Sequence, residues 1–336
     1  MQLPPPEVIG AIVQRYARLV ARFGDELGQR PLVLPNNDFF PDEFRSNERA
    51  LKRLVKRMQR HADMTDIPLE TRLVEETGGS AEPGGCSSGG GCACGEEGHQ
   101  HEPIERLVDQ GDGWAIQIPE AETKHPVVLT TNVARSLGFV FLMETRAEGE
   151  SIDPPIDVTA DLAAVALGFG VLLLEGSYIY QKSCRGPSIG RVTKLGTAEL
   201  SIATALFAAS GGHSARAAKQ ELGTTQRAIF AEAEAWADTN RDLVELLRKK
   251  PAELARGDFQ MTEPEPWLMR VIGRKKRARV KLEDPSDAWL GASLDELESM
   301  LSAMPVPAPR KPSPPDPKRE ELKALVDEAL GSPNSD

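Results

Sequence analysis

The chain has 336 residues, of which 40% are hydrophobic and 27% are charged, and its formal net charge at pH 7 is −11. This composition excludes a fibrous or wholly disordered protein and supplies enough apolar side chains for one sizeable core. The excess of acidic residues also argues against a surface built mainly to hold nucleic acid or an anionic membrane.

The first residues and the apolar runs bear on where the chain resides. Met1 to Pro6 contain no positively charged stretch followed by an apolar one, so no secretory signal is visible and a cytoplasmic location is expected. The longest apolar run, Leu162 to Leu174, is too short to span a bilayer and predicts a buried core helix. In a reducing cytoplasm, clustered cysteines are expected to be metal ligands or free thiols and not disulfides.

The first part of the chain predicts two helices and a few short strands. Apolar residues at helical spacing predict a helix from Pro6 to Phe23. The proline-bounded run Pro31 to Pro35 suits an edge strand. Ser46 is placed to cap a second helix, whose apolar face should pack against the first helix. Alternating patterns predict strands over Leu69 to Val74 and Trp114 to Ile118.

From Pro126 onward the chain is expected to be helical and to form the core. The predicted helices are Pro126 to Glu144, Asp157 to about Gln181, Thr197 to Ala209, a short one around Ala215 to Leu222, and the long segment Thr224 to Lys249. The fold class is therefore α+β, mainly α: a helical domain over residues 1–250, with a Gly/Cys-rich insertion at 78–101. Residues 251–336 are expected to form a flexible tail with short amphipathic helices, because seven prolines between Pro305 and Pro317 favour an extended linker.

The insertion concentrates residues that can bind metals. Its cysteines and histidines have the spacing C-x5-C-x-C-x4-H-x-H, and thiolate and imidazole are preferred ligands of zinc. The interpretation as a zinc site competes with two others: a Gly/Ser-rich loop with incidental thiols, and a weaker redox role for the C-x-C pair. The candidate ligands are Cys86, Cys92, Cys94, His99 and His101.

Four further pieces of sequence stand out: Leu32-Val-Leu-Pro35, Phe39-Phe-Pro-Asp-x-Phe44, Leu137-Gly-Phe-Val-Phe-Leu-Met143 and Asp161-Leu-Ala-Ala-Val-Ala-Leu-Gly-Phe-Gly-Val171. In matching order, they resemble an uncharacterised bacterial family with a zincin-like helix that carries H-E-x-x-H, followed by an acidic E-P-x-T-D segment. The resemblance covers roughly residues 27 to 250.

The resemblance implies a degenerate metal site. In such a helix the two histidines hold zinc and the glutamate activates water. In this chain the three motif positions are Arg135, Ser136 and Phe139. Neither a guanidinium nor a phenyl ring replaces imidazole as a zinc ligand, so the resemblance implies that peptidase chemistry is lost.

The acidic segment is kept in part. Asp157 stands about where the third zinc ligand would be, and Asp161 matches the aspartate that follows it. One interpretation is a vestigial pocket in which Arg135 pairs with Asp157 or Asp161. The other is that these are ordinary acids at a helix start, where the dipole favours them, and we prefer it for Asp157.

Two functions follow from these patterns. The first is a non-catalytic relative of a metallopeptidase-like family, without enzyme activity, that acts as a binding or scaffold protein and meets a protein partner through its pocket or tail. The alternative is a metalloprotein, or an enzyme, whose metal is bound by the loop from Cys86 to His101. The basic run Arg274 to Lys281 has no interleaved aromatic residues, so it favours a solvated or partner-docking segment over nucleic-acid binding.

Overall fold

The computed structural model describes residues 3–24, 27, 29–74, 106–147, 150–183, 186–262 and 277–281. The chain divides into two compact units, Met1–Ala292 and Ser293–Asp336, and all the described residues belong to the first. This unit has the predicted α+β, mainly helical architecture with small sheets. The insertion at 78–101 and the proline-rich segment from Pro305 to Pro317 lie outside the described residues.

The N-terminal part combines two helices with a small sheet. In the sheet the strand order is β1-β3-β2, with β1 parallel and β2 antiparallel to the central β3. The elements are α1 (Pro6–Phe23), α2 (Glu48–His61), β1 (Leu69–Val74), β2 (Leu107–Asp109) and β3 (Trp114–Pro119). A short 3-10 turn, Glu120–Lys124, leads from β3 into the next helix.

The remaining part is a helical bundle with two small hairpin-like sheets, each formed by one antiparallel strand pair. Its helices are α3 (Pro126–Thr145), α4 (Ile156–Ala164), α5 (Gly170–Gly176), α6 (Thr197–Gly211), α7 (Ala215–Glu221), α8 (Thr224–Thr239), α9 (Arg241–Lys249) and α10 (Pro251–Ala255). Its strands are β4 (Ile179–Ser183), β5 (Gly186–Gly190), β6 (Asp258–Thr262) and β7 (Arg277–Lys281).

The apolar segments 126–145 and 156–176 form the centre of the core. Every residue from Leu162 to Leu174 is buried, as predicted, but the expected single helix is divided by a turn at Val165–Phe169 into α4 and α5. By length and composition alone both segments are apolar enough to cross a membrane, but 72% and 94% of their apolar windows are buried inside the protein. Core helices of soluble proteins pass the same test, so this property does not by itself place the chain in a membrane.

Two glycines allow close packing in this core. At Gly138 on α3 a side chain would collide with the backbone carbonyl of Ala160, so α3 and α4 pack almost backbone to backbone. Gly168 lies in the π-helical turn Val165–Phe169 that joins α4 to α5, and its φ of 94° suits glycine. Its carbonyl accepts a hydrogen bond from the N–H of Val33 at 2.9 Å.

This last contact explains why the predicted strand at Pro31 to Pro35 is wrong. The run is irregular in the structure, although Leu32 and Val33 are buried as an apolar strand would be. The N–H of Val33 bonds to the carbonyl at the π turn and not to a neighbouring strand.

The second helix also differs in its cap and its neighbours. Asn47, and not Ser46, is the N-cap residue, because its side chain accepts the N–H of Ala50 at 2.9 Å. The Ser46 hydroxyl donates instead to the carbonyl of Thr123. This helix packs mainly against β1 and α3, and not against α1 as predicted, since Ser46 fixes its start beside the 3-10 turn that leads into α3.

Two predicted helix ends and the predicted tail boundary shift as well. The helix expected to reach Gln181 ends at Gly176, and the segment from Thr224 to Lys249 divides into α8 and α9 at Asn240. Residues 251–262, for which the sequence predicts a flexible tail, form α10 and β6. They are attached to the core because Trp236 Nε1 donates to the carbonyl of Thr262 at 3.1 Å.

Candidate functional site

Arg135 lies on α3 and is buried, with only 5% of its surface exposed. Its Nε donates to Asp161 Oδ1 at 2.5 Å, and its Nη1 donates to the carbonyl oxygen of Val192 at 2.6 Å. Its Nη2 lies 3.9 Å from Asp157 Oδ1. The predicted pairing of Arg135 with one of the two aspartates is confirmed, and the main partner is Asp161.

Asp161, on α4, is fully buried and has donors on both carboxylate oxygens. Oδ1 accepts from Arg135, while Oδ2 accepts the backbone N–H groups of Lys194 and Leu195 at 2.7 and 2.9 Å. A buried charge is tolerated only when it is paired and hydrogen-bonded, and this one meets both conditions. The pair therefore links α3, α4 and the segment that leads into α6.

Asp157 has the position that the sequence indicated, in the first turn of α4. The start of a helix carries a partial positive charge, so a carboxylate is favourable there. The residue is 9% exposed and its distance to Arg135 is longer than that of Asp161. Asp157 is thus a helix-start acid that also contributes a second, weaker ion pair to Arg135.

The other two motif positions carry no charge. The hydroxyl of Ser136 is buried and has no hydrogen-bond partner among the residues that the structure describes. Phe139 packs edge-on against Trp114 of β3, with ring centroids 6.2 Å apart. Trp114 Nε1 in turn donates to Glu144 Oε1 at 2.6 Å, so this part of α3 serves to hold the sheet.

Glu199 is a site residue that the sequence reasoning missed. It lies in the first turn of α6, where its Oε2 accepts the N–H of Gly196 at 2.6 Å. Burial raises the pKa of Glu199 to about 7, and the nearby carboxylate of Asp161 acts in the same direction, while the Gly196 N–H and Arg191 act against it. A glutamate three residues after the N-cap position, which accepts the N-cap N–H as in half of a capping box, is the sequence signal that points to Glu199.

A second buried ion pair lies beside α3, next to Asn132, which is one turn before Arg135. Arg106 and Glu122 are 2.6 Å apart, with 7% and 13% of their side chains exposed. The amide of Asn132, on α3, donates to Glu122 Oε2 at 3.0 Å. Asn132 and Arg135 therefore give α3 two neighbouring polar attachments within an otherwise apolar core.

The predicted metal loop is not part of this site. Cys86, Cys92, Cys94, His99 and His101 all lie outside the described residues. Within the described ranges, no group of three or more His, Cys, Asp or Glu side chains is arranged to hold a metal ion.

No protein-family model matches the chain, and searches of curated proteins and of solved structures find no similar protein. The resemblance to a metallopeptidase-like family therefore stays a prediction from the sequence.

We expect the substitution Arg135→Met to lower the free energy of unfolding by about 3 kcal/mol or more, because it leaves the buried Asp161 carboxylate without its cation. Arg18→Met is the matched control, since the ion pair of Arg18 with Asp153 is exposed on both sides and should be worth less than about 1 kcal/mol. Urea unfolding of both variants measures the difference, and equal losses would show that the buried pair has no special weight.

We expect Glu199→Gln to flatten the pH dependence of stability. The folded protein binds the Glu199 proton more tightly than the unfolded chain does, so this proton stabilises the fold below about pH 4.5 and the contribution is lost as the pH rises towards 7. Glutamine does not titrate, so the unfolding free energy of the variant does not fall for this reason over the same pH range. The difference in unfolding free energy, variant minus parent, should therefore rise between pH 4.5 and 7.5, by up to about 3 kcal/mol. Parallel stability curves for the two proteins would refute the raised pKa.

Proposed function

We propose that this chain is a non-catalytic relative of a metallopeptidase-like family and acts as a binding or scaffold protein, with a protein as its partner. The observation that carries the proposal is the position of Arg135. At the place that the resemblance gives to the first zinc ligand, the chain puts its own buried cation against Asp161.

The residues present do not fit zinc. A guanidinium is a donor without a free lone pair at neutral pH, so Arg135 repels a metal ion where a histidine would bind it. Ser136 supplies no carboxylate to activate water, and Phe139 is held against Trp114 as an apolar packing group. These three side chains support a loss of hydrolytic chemistry at this helix.

The hydrogen bonds around Arg135 support a structural use of the same place. Arg135 bonds to the carbonyl of Val192, and Asp161 bonds to the N–H groups of Lys194 and Leu195. An internal cation that satisfies a carboxylate in this way holds the helices together without a metal ion. The fold is then free to present its surfaces to a partner.

The proposal predicts that metal affinity can be restored. The triple variant Arg135→His, Ser136→Glu and Phe139→His should bind zinc at about one ion per chain, because it recreates two imidazoles on one helix face near Asp157. The matched control is Arg135→Gln, Ser136→Gln and Phe139→Leu, which changes the same positions without adding ligands.

Zinc content is measured on dialysed protein, and circular dichroism establishes that both variants are folded. A folded triple variant that binds no more zinc than its control would contradict the alignment of this helix with the family motif.

The alternative function rests on the composition of the loop. Five thiol and imidazole groups fall within sixteen residues, which is the ligand set that zinc prefers. If this loop defines the function, the purified protein carries about one metal ion per chain, and the variant with Cys86, Cys92 and Cys94 changed to Ser loses it. Elemental analysis for zinc, iron and copper tests this, and a metal-free parent protein removes the alternative.

A further inference from the structure

A cavity of about 300 Å³ lies at the N-terminal end of α3, and the Arg135 site lies near the middle of the same helix. Its walls come from four places: the loop at 35–44, the outer part of α2, the first turn of α3 and the end of α5. The Phe39 to Phe44 motif has no role in the proposed function. Phe40, Asp42 and Phe44 of that motif line this cavity.

The interior of the cavity is apolar. Leu129 and Leu172, each 1% exposed, contribute to its lining from the two core helices. Phe40, Phe44 and Leu54 are partly buried residues that pack against the core beside them. At the first turn of α3, Val127 leaves 38% of its surface exposed, so part of the lining faces solvent. Such a mixture of an apolar interior and a polar rim is typical of small-molecule sites.

Hydrogen bonds and ring contacts hold the loop wall in place. His61 Nε2 lies 3.1 Å from the carbonyl of Phe39, and its ring stands edge-on to Phe39 and Phe40. Asn36 Nδ2 donates to Glu221 Oε1 at 3.1 Å. The cavity is therefore formed in the free protein, which lowers the entropy cost of filling it.

The charges at the rim leave one cation available. Asp42 is paired with Arg57 at 2.5 Å, and Glu43 is paired with Arg45 at 3.0 Å.

The third acid of the lining, Glu175, accepts the N–H of Gly223 at 2.7 Å. Arg53, which is exposed at the rim, forms no ion pair within the part of the chain that the structure describes. Glu175 keeps its negative charge, and Arg53 is the lining cation that is available to pair with a ligand.

We propose that this cavity binds a small amphipathic anion, with its apolar body among Phe40, Phe44 and Leu129 and its carboxylate or sulfonate beside Arg53. A cavity of about 150 Å³ accommodates benzene, so one of twice that volume suits two fused rings or an acyl chain of similar size. The inference does not depend on the degenerate metal site, because the residues of that site do not line this cavity. They are Arg135, Ser136, Phe139, Asp157 and Asp161.

The experiment uses the full chain and three probes: naphthalene-2-carboxylate, its neutral analogue naphthalene-2-methanol, and decanoate. Binding is measured by calorimetry, and methyl resonances of Val127, Leu129 and Leu172 locate the site. We expect naphthalene-2-carboxylate to bind more tightly than the neutral analogue and to shift these resonances. Decanoate should compete with it if the site accepts acyl chains as well as rings.

Two pairs of variants separate charge from shape. Arg53→Met should weaken binding of the carboxylate about two- to five-fold, as expected for one exposed charge contact, and leave the neutral analogue unchanged. Arg49→Met, on the exposed side of the same helix and outside the cavity lining, is the control. Val127→Glu should weaken carboxylate binding more than Val127→Gln, because only the former adds a negative charge at the rim.

Saturable binding of the carboxylate that depends on Arg53 but not on Arg49 supports the proposal. Absence of binding up to about 1 mM, or equal affinity for the charged and neutral probes in the parent and the Arg53→Met variant, overturns it. Either of these results leaves the zinc experiment on the triple variant unaffected.

Discussion

The ion pair between Arg135 and Asp161 is the constraint on which the helical core depends. Its two charges are buried where apolar helices meet, and an isolated charge there would cost several kcal/mol. Both oxygens of the Asp161 carboxylate accept hydrogen bonds, which offsets this cost. Oδ1 accepts from Arg135, and Oδ2 accepts from the backbone N–H groups of Lys194 and Leu195. The segment before α6 must therefore follow one path for the pair to be satisfied, and the pair fixes both helix packing and loop geometry.

The same constraint separates the two regions of functional interest. Around Arg135 the two charges of the Arg135–Asp161 pair are satisfied within the protein, whereas the buried hydroxyl of Ser136 has no hydrogen-bond partner among the described residues. At the N-terminal end of α3, an apolar cavity is open to solvent, and the exposed Arg53 at its rim has no ion-pair partner within the described part of the chain. In our two proposals, the middle of the helix stabilises the fold and its first turns contribute to a ligand site.

Much of the helical framework could be predicted from the sequence. The bounds of α1 are as predicted because proline at its start and a regular apolar stripe both mark the same helix. The resemblance also suggested that Arg135 pairs with Asp157 or Asp161, but it left open which of the two is the main partner. The two backbone donors to Asp161 could not, because they belong to an irregular segment without a periodic pattern. The pattern analysis also extended a helix over residues that form strand β4 of the β4–β5 hairpin, and it missed Glu199, whose raised pKa depends on burial by other parts of the chain.

The π turn at Gly168 has a consequence beyond the helix that contains it. Its carbonyl anchors Val33, and only two residues later the chain enters the wall of the cavity at Pro35. This hydrogen bond therefore fixes the position of the cavity wall relative to the π turn. In related chains we expect residues 31–35 and the glycine at 168 to change together. A chain with another residue at position 168 should then have a cavity of a different shape.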